Sequence, residues 1–224
     1  MTLTALLPMK GHSERVPNKN LKLFAGRPLY HHVMRTLLGC PAITRIVINT
    51  DSAAIAEDVK RHFPETLIIE RPEAIRGDMV PMNKIIAHDI AVTGGTHFVQ
   101  THSTNPLLKP QTLQSAIDFY FSHLHEYDSL FSVTRLQTRL YWQDGRPVNH
   151  NPNALIRTQD LPVIYEENSN FYLFSATSFR QNDENRIGRK PFLFETPKLE
   201  SLDIDEPHDF ELAEMIFLKQ TAAK

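Results

Sequence analysis

Leu6-Leu7-Pro8-Met9-Lys10-Gly11-His12-Ser13-Glu14-Arg15-Val16-Pro17-Asn18-Lys19-Asn20 is the end of an apolar run breaking into a cation-bearing loop. Lys10, His12, Glu14, Arg15 and Lys19 fall within ten residues of one another. The loop ends before Gly26-Arg27-Pro28-Leu29, which reads as a turn feeding a helix. A buried strand, a long basic loop and then a helix is how an α/β protein builds a phosphate pocket, with backbone N–H groups and cationic side chains converging on an anion. Lys10, Arg15 and Lys19 can neutralise a triphosphate, as point charges or through a planar fork. Asn20 adds an amide that can read a base or a ribose. Neither the Walker pattern nor GxGxxG is present, and the same charges also suit a solvated surface loop.

Outward from this stretch, short β-like runs alternate with helical patterns. Leu3–Leu7 reads as the first strand, Arg45–Thr50 as the second, Thr66–Glu70 as the third, His97–Thr101 as the fourth and Ser129–Thr134 as the fifth. Between them, helices are expected over 28–38, over 53–62 with Asp51-Ser52 as the cap, from Pro81 to Val92 with Gly94-Gly95 as the stop, and over 110–123. Near-continuous apolar strands separated by helices indicate a mostly parallel sheet with helices on both faces. The pattern breaks after Leu136. Residues 137–169 are polar and carry three prolines, Asn170–Phe174 and Phe192–Glu195 restore strands, and Pro207 starts a terminal helix. One domain over 1–224 with one protruding arm fits this better than two domains.

Composition narrows the function class. The 224 residues are 41% hydrophobic and 22% charged, with a net charge of −2. That suits a globular protein without bulk affinity for nucleic acid or membrane, so any anion site is local. Cys40 is alone, which leaves no disulfide framework or cysteine metal cluster. The N-terminal residues show no signal peptide and no run long enough for a membrane helix, so a cytoplasmic enzyme is expected.

Two further constellations carry chemistry. Ser201–Asp205 reads as a short edge segment in which Asp203 and Asp205 point the same way. Two carboxylates so placed can hold Mg²⁺; alternatively Asp205 caps the helix opened by Pro207. Thr101-His102-Ser103-Thr104-Asn105-Pro106-Leu107 lies at the carboxyl end of a strand, where open α/β sheets bind ligands. Its polar side chains suit sugar hydroxyls, or else a turn rich in capping residues. Asp78, after Gly77, is placed to line the same pocket. His31 and His32, adjacent on a helix, cannot share a face, so metal binding is not expected there. Glu166-Glu167 reads as a solvated pair. Tyr141 and Trp142 in the arm suit a subunit interface. No order of Ser, His and Asp stands out as a hydrolase triad.

At these residues the chain resembles the acylneuraminate cytidylyltransferases, a family that includes the CMP-sialic acid synthetases. The family's opening, A-R-x-x-S-K-G-x-P-x-K-N, is similar to residues 9–20. The likeness continues through Gly26–Leu29, Thr50-Asp51, Arg71-Pro72-Glu73, Gly77-Asp78, Thr104–Leu107, Arg157–Pro162, Asn168–Tyr172, Leu202–Asp205 and Asp209-Phe210, in one order over nearly the whole chain. It implies a Rossmann-like nucleotidyltransferase fold, a homodimer in which residues 137–165 form an arm reaching the partner's active site, and the reaction of CTP with a sialic acid-like sugar acid to give CMP-sugar and pyrophosphate, with Mg²⁺.

The resemblance further implies that Pro8, Met9, Lys10, Lys19, Asn20, Gly77 and Asp78 bind the nucleotide. It gives His102, Ser103, Thr104, Arg157, Gln159 and Asn168 to the sugar, and Asp203 and Asp205 to the metal. Lys10, Arg15, Lys19 and Asp205 are expected to carry catalysis. The chain departs from the family at Lys10 (family Arg), Glu14 (Lys), Arg15 (Gly), Gly77 (Ser or Thr) and His102 (Gln). The His102 departure opens the sugar to relatives of N-acetylneuraminic acid such as legionaminic or pseudaminic acid. Two other readings stand beside this one: a nucleotide-sugar-dependent glycosyltransferase using Asp203 and Asp205 as its D-x-D, and a catalytically impaired nucleotide-binding homologue.

Overall fold

Alternation along the first strand sets the architecture. In the computed structural model, which describes residues 2–222, Leu3–Leu6 forms β1 in the interior of a seven-stranded sheet. Its other members are β4 (Ile43–Thr50), β5 (Leu67–Glu70), β6 (His97–Thr101), β7 (Ser129–Leu136), β8 (Ile164–Ser175) and β9 (Pro191–Glu195). A separate two-stranded hairpin pairs β2 (Leu23–Phe24) with β3 (Arg27–Pro28). The large sheet runs β5-β4-β1-β6-β8-β7-β9, with β8 alone antiparallel to its neighbours.

Leu3, Ala5 and Leu7 face one side, against α1 (Leu29–Leu38), α2 (Ala53–His62) and α4 (Pro110–Ser122). Leu6 faces the other, with Val47, Phe98 and Phe174, against α3 (Met82–Thr93) and α5 (Ala176–Gln181). This is the mostly parallel sheet covered on both faces that the apolar strands foretold.

Local signals placed most element ends. The Ser52 hydroxyl accepts from the Ile55 N–H and caps α2, and Gly94, at φ 61°, ends α3. Pro81 stands just ahead of α3 rather than inside it.

Two expectations are corrected. The strand read from Asn170 begins at Ile164, because the polar residues Tyr165 to Glu167 pair with β7 where β8 runs past β6 and its faces are open to water. Polar side chains on such a strand hide its period. Ser201–Asp205 is not a strand but irregular chain, tied by the Ile204 N–H to the Thr104 carbonyl at 3.0 Å.

The third packing unit matters most for the site. Val16 from the first loop, Phe24 and Leu29 from around the hairpin, Leu107, Ile204, and Phe210 and Ala213 of the terminal helix α6 (Pro207–Ala222) form one buried cluster. It draws the two ends of the chain to the same edge of the sheet. Between β7 and β8, residues 137–163, the segment expected to be the arm, form a long connection with one bridge between Tyr141 and Pro147 and one 3-10 turn over Thr158–Asp160.

Candidate active site

The parallel strands β1, β4 and β6 deliver their following loops to one edge of the sheet, the edge where open α/β sheets bind ligands. A cleft of about 460 Å³ lies there. Of the residues read from the sequence, Pro8, Met9, Lys10, Arg15, Lys19, Asn20, Gly77, Asp78, His102, Ser103, Thr104, Asp203 and Asp205 all line it.

The floor is built from the first loop outward. Asp51 accepts from the Gly11 N–H at 2.7 Å, and a Cβ on Gly11 would stand 2.8 Å from Ser52 Cβ, so only glycine lets the loop lie this close to α2. Buried Arg71 holds the loop from below, donating to the Met9 carbonyl (3.1 Å) and to the Asn49 side chain (2.8 Å), with Asn49 in turn donating to Asp89. Asn20 donates to the Lys10 carbonyl (3.0 Å) and accepts from Ser103 (2.6 Å), which joins the first loop to the loop after β6.

The cations face the acids across the cleft. Lys10 pairs with Asp78. Arg15 reaches Asp205 at 2.9 Å and Glu206 at 3.2 Å. Lys19 donates to the Ile204 carbonyl at 2.6 Å and lies 3.8 Å from the Asp205 carboxylate. Burial pulls the Lys19 ammonium below its ordinary pKa, opposed by Asp205 and Asp203. Burial above all, helped by the neighbouring Asp205, holds the Asp203 carboxyl above the usual range, against the Thr104 hydroxyl.

Asp205 does not cap α6. Asp209 takes that part, accepting from the backbone N–H groups of Asp205 and Glu206, so the Asp205 carboxylate is left to the cleft. Asp203 Oδ1 is sealed from solvent without a hydrogen-bond partner. An orphaned carboxylate oxygen beside a second carboxylate is a donor set that fits a hard divalent ion.

His102 Nε2 is likewise sealed and unpartnered. Burial, with Arg186 and Lys19 adding, pushes its pKa down to about 4, so the ring is neutral near pH 7. Behind it Arg186 stacks on Tyr172, 3.6 Å from the ring centroid, and donates to Gln100. Tyr172 donates to Glu167.

Three sequence-selected residues lie outside the cleft lining. Asn168 is buried and spends its amide on Thr134, Thr196 and Ser201. Arg157 and Gln159 sit on the arm, Arg157 gripping Asp160 at 2.7 Å. The sequence reading gave no site role to the lining residues Ser13, Glu14, Arg71, Val80, Met82, Ile85 and Ser169. Arg71 offered a signal as an arginine set directly between a strand and a proline. Ser169 offered none: it lines the cleft because it sits in a bulge of β8, at φ 57°.

The cytidylyltransferase family model matches residues 4–223. Among curated relatives, the CMP-N,N'-diacetyllegionaminic acid synthase of Legionella pneumophila is 27% identical over 96% of this chain and 96% of that protein. The pseudaminic acid cytidylyltransferase of Campylobacter jejuni is 22% identical over 95% of this chain and 94% of that protein. The N-acylneuraminate cytidylyltransferase of Escherichia coli is 25% identical over 99% of this chain, which spans only 54% of it. A solved CMP:2-keto-3-deoxy-manno-octonic acid synthetase complexed with CTP superposes with a TM-score of 0.73, covering 98% of this chain and 100% of that one at 12% identity. At that identity the likeness is one of fold.

Proposed function

This chain belongs to the cytidylyltransferase family, and from that premise we propose that it activates a sialic acid-like nonulosonic acid with CTP, giving the CMP-sugar and pyrophosphate. The observation that carries the reading is the meeting of Lys19 and Asp205, from opposite ends of the chain, 3.8 Å apart in one cleft. Relatives named for legionaminic, pseudaminic and neuraminic acids set the substrate class.

In this reading the sugar's anomeric hydroxyl attacks the α-phosphorus in line, its proton passes to solvent, and pyrophosphate departs. Little covalent work falls to the protein, so positioning and charge neutralisation supply the rate. Lys10, Arg15 and Lys19 offset charge on the nonbridging and leaving oxygens. Asn20, fixed by Ser103, orients the nucleoside. Ser103, Thr104 and the neutral His102 ring offer hydrogen bonds to sugar hydroxyls or acyl groups; with a pKa of about 4, His102 is too weak a base to drive the attack. Asp203 and Asp205 would hold Mg²⁺, which when bound supplies positive charge at the phosphates.

Arg157 and Gln159, away from this cleft, are proposed to serve a partner's cleft across a dimer made through the arm. Among the described residues no helix is long and apolar enough to cross a membrane, and dependence on CTP favours the cytoplasm. The glycosyltransferase reading is not favoured: the family match stands against it, and Asp203-Ile204-Asp205 lies against the triphosphate-type loop.

A pyrophosphate-release assay decides the matter. The protein is given each nucleoside triphosphate with a panel of acidic nine-carbon sugars, with and without Mg²⁺. Release is expected only with CTP, a sugar acid and the metal together. Cytidine nucleotide binding without turnover across the panel would instead show the impaired homologue.

A further inference from the structure

We propose that His31, Asp58 and His62 form a second metal site, remote from the cleft, for a divalent transition-metal ion such as Zn²⁺. The helix pair builds it. Asp58 and His62 stand four residues apart on α2 and so share a face, and that face meets α1 at His31. One ligand atom from each lies within 4.8 Å of the others, and among the described residues no other trio of His, Cys, Asp or Glu side chains comes so close. His31 Nε2 is 2.6 Å from Asp58 Oδ2, and His62 Nδ1 is 3.2 Å from Asp58 Oδ1.

The carboxylate is also oriented. The buried Tyr30 hydroxyl donates to Asp58 Oδ2, the kind of support that fixes a ligand's position and tunes its metal. This leaves Oδ1 for the ion. Side-chain exposure grades from 8% at His31 through 19% at Asp58 to 45% at His62, so an ion enters from the His62 side and a water completes the shell. Two imidazole nitrogens and one carboxylate oxygen suit zinc or cobalt and do not suit Mg²⁺, which asks for oxygen. On binding, His31 releases the Nε2 proton that it donates to Asp58 Oδ2, holds its ring proton on Nδ1 and turns the Nε2 lone pair to the ion. The ion then clamps α1 to α2 on one face of the sheet.

Calorimetric titration of Zn²⁺ into metal-free protein tests this, with Co²⁺ absorbance as the probe of geometry. One zinc per chain, a higher thermal midpoint and tetrahedral cobalt bands are expected. His62→Ala, at an exposed position, should weaken zinc about ten-fold or more and abolish the bands, Asp58→Asn should do the same, and Tyr30→Phe should weaken zinc about ten-fold. Asp205→Asn should leave this isotherm intact. Equal zinc binding by wild type and His62→Ala, an absence of binding, or loss of the site in Asp205→Asn each overturns the proposal.

Discussion

Two aspartates separated by a single residue have different environments. Asp205 is half-exposed and its pair with Arg15 is solvated, so the pair adds little to stability. Asp205→Asn is therefore expected to leave the thermal midpoint nearly unchanged while pyrophosphate release falls about 10²–10³-fold. Asp203 carries the opposite balance. Burial raises its folded pKa above the unfolded value, so the native state binds the proton more tightly and stability falls as pH rises through that window. Asp203→Asn should accordingly be more stable than wild type at neutral pH in metal-free buffer, and nearly inactive. A denaturant midpoint that drops in this variant would contradict the desolvation argument.

At the scale of elements, the site rests on how loops are anchored. Ile204 is fully buried between the two aspartates and packs in the cluster of Val16 and Phe210, so α6 fixes the acids by an apolar contact on their far side. Phe210→Ala should cost about 3–5 kcal/mol and, where the protein still folds, raise KM for CTP because Lys19 loses its fixed partner at the Ile204 carbonyl. Urea denaturation and steady-state kinetics separate the two effects. The bulge in β8 works by the same logic: extra residues between Glu167 and Tyr172, opposite β7, let Ser169 reach the cleft while Asn168 and Asn170 tie down the chain leading to Asp203.

For the whole molecule, two outcomes are expected. His102 has an ordinary pKa of 6.5 when unfolded and about 4 when folded, so the unfolded state binds the extra proton. Stability should thus decline as pH falls from about 6.5 toward 4, by on the order of 2–3 kcal/mol. His102→Gln should flatten that slope in denaturant titrations at stepped pH. The arm exposes Tyr141, Trp142, Leu155 and Ile156, with Leu155 86% exposed, a density of apolar side chains that suits an interface. Trp142→Glu is expected to shift sedimentation from dimer to monomer; a wild type that sediments as a monomer would remove the arm's proposed role.

The sequence by itself determined the sheet, its helices and most of the cleft, because buried parallel strands must be apolar and caps and glycines mark their ends. Thus Leu3–Leu6, Ser52 and Gly94 were legible, and so was the loop from Lys10 to Asn20. Only the tertiary structure decided which side chains meet. It placed Asp209 rather than Asp205 on the helix cap, turned the Asn168 amide into the body, set Ser169 in the cleft through a bulge, and joined His31 to Asp58 and His62 across two helices. Periodicity reports which face of an element is apolar. It carries no record of which residue a second element, distant in the chain, will bring against that face.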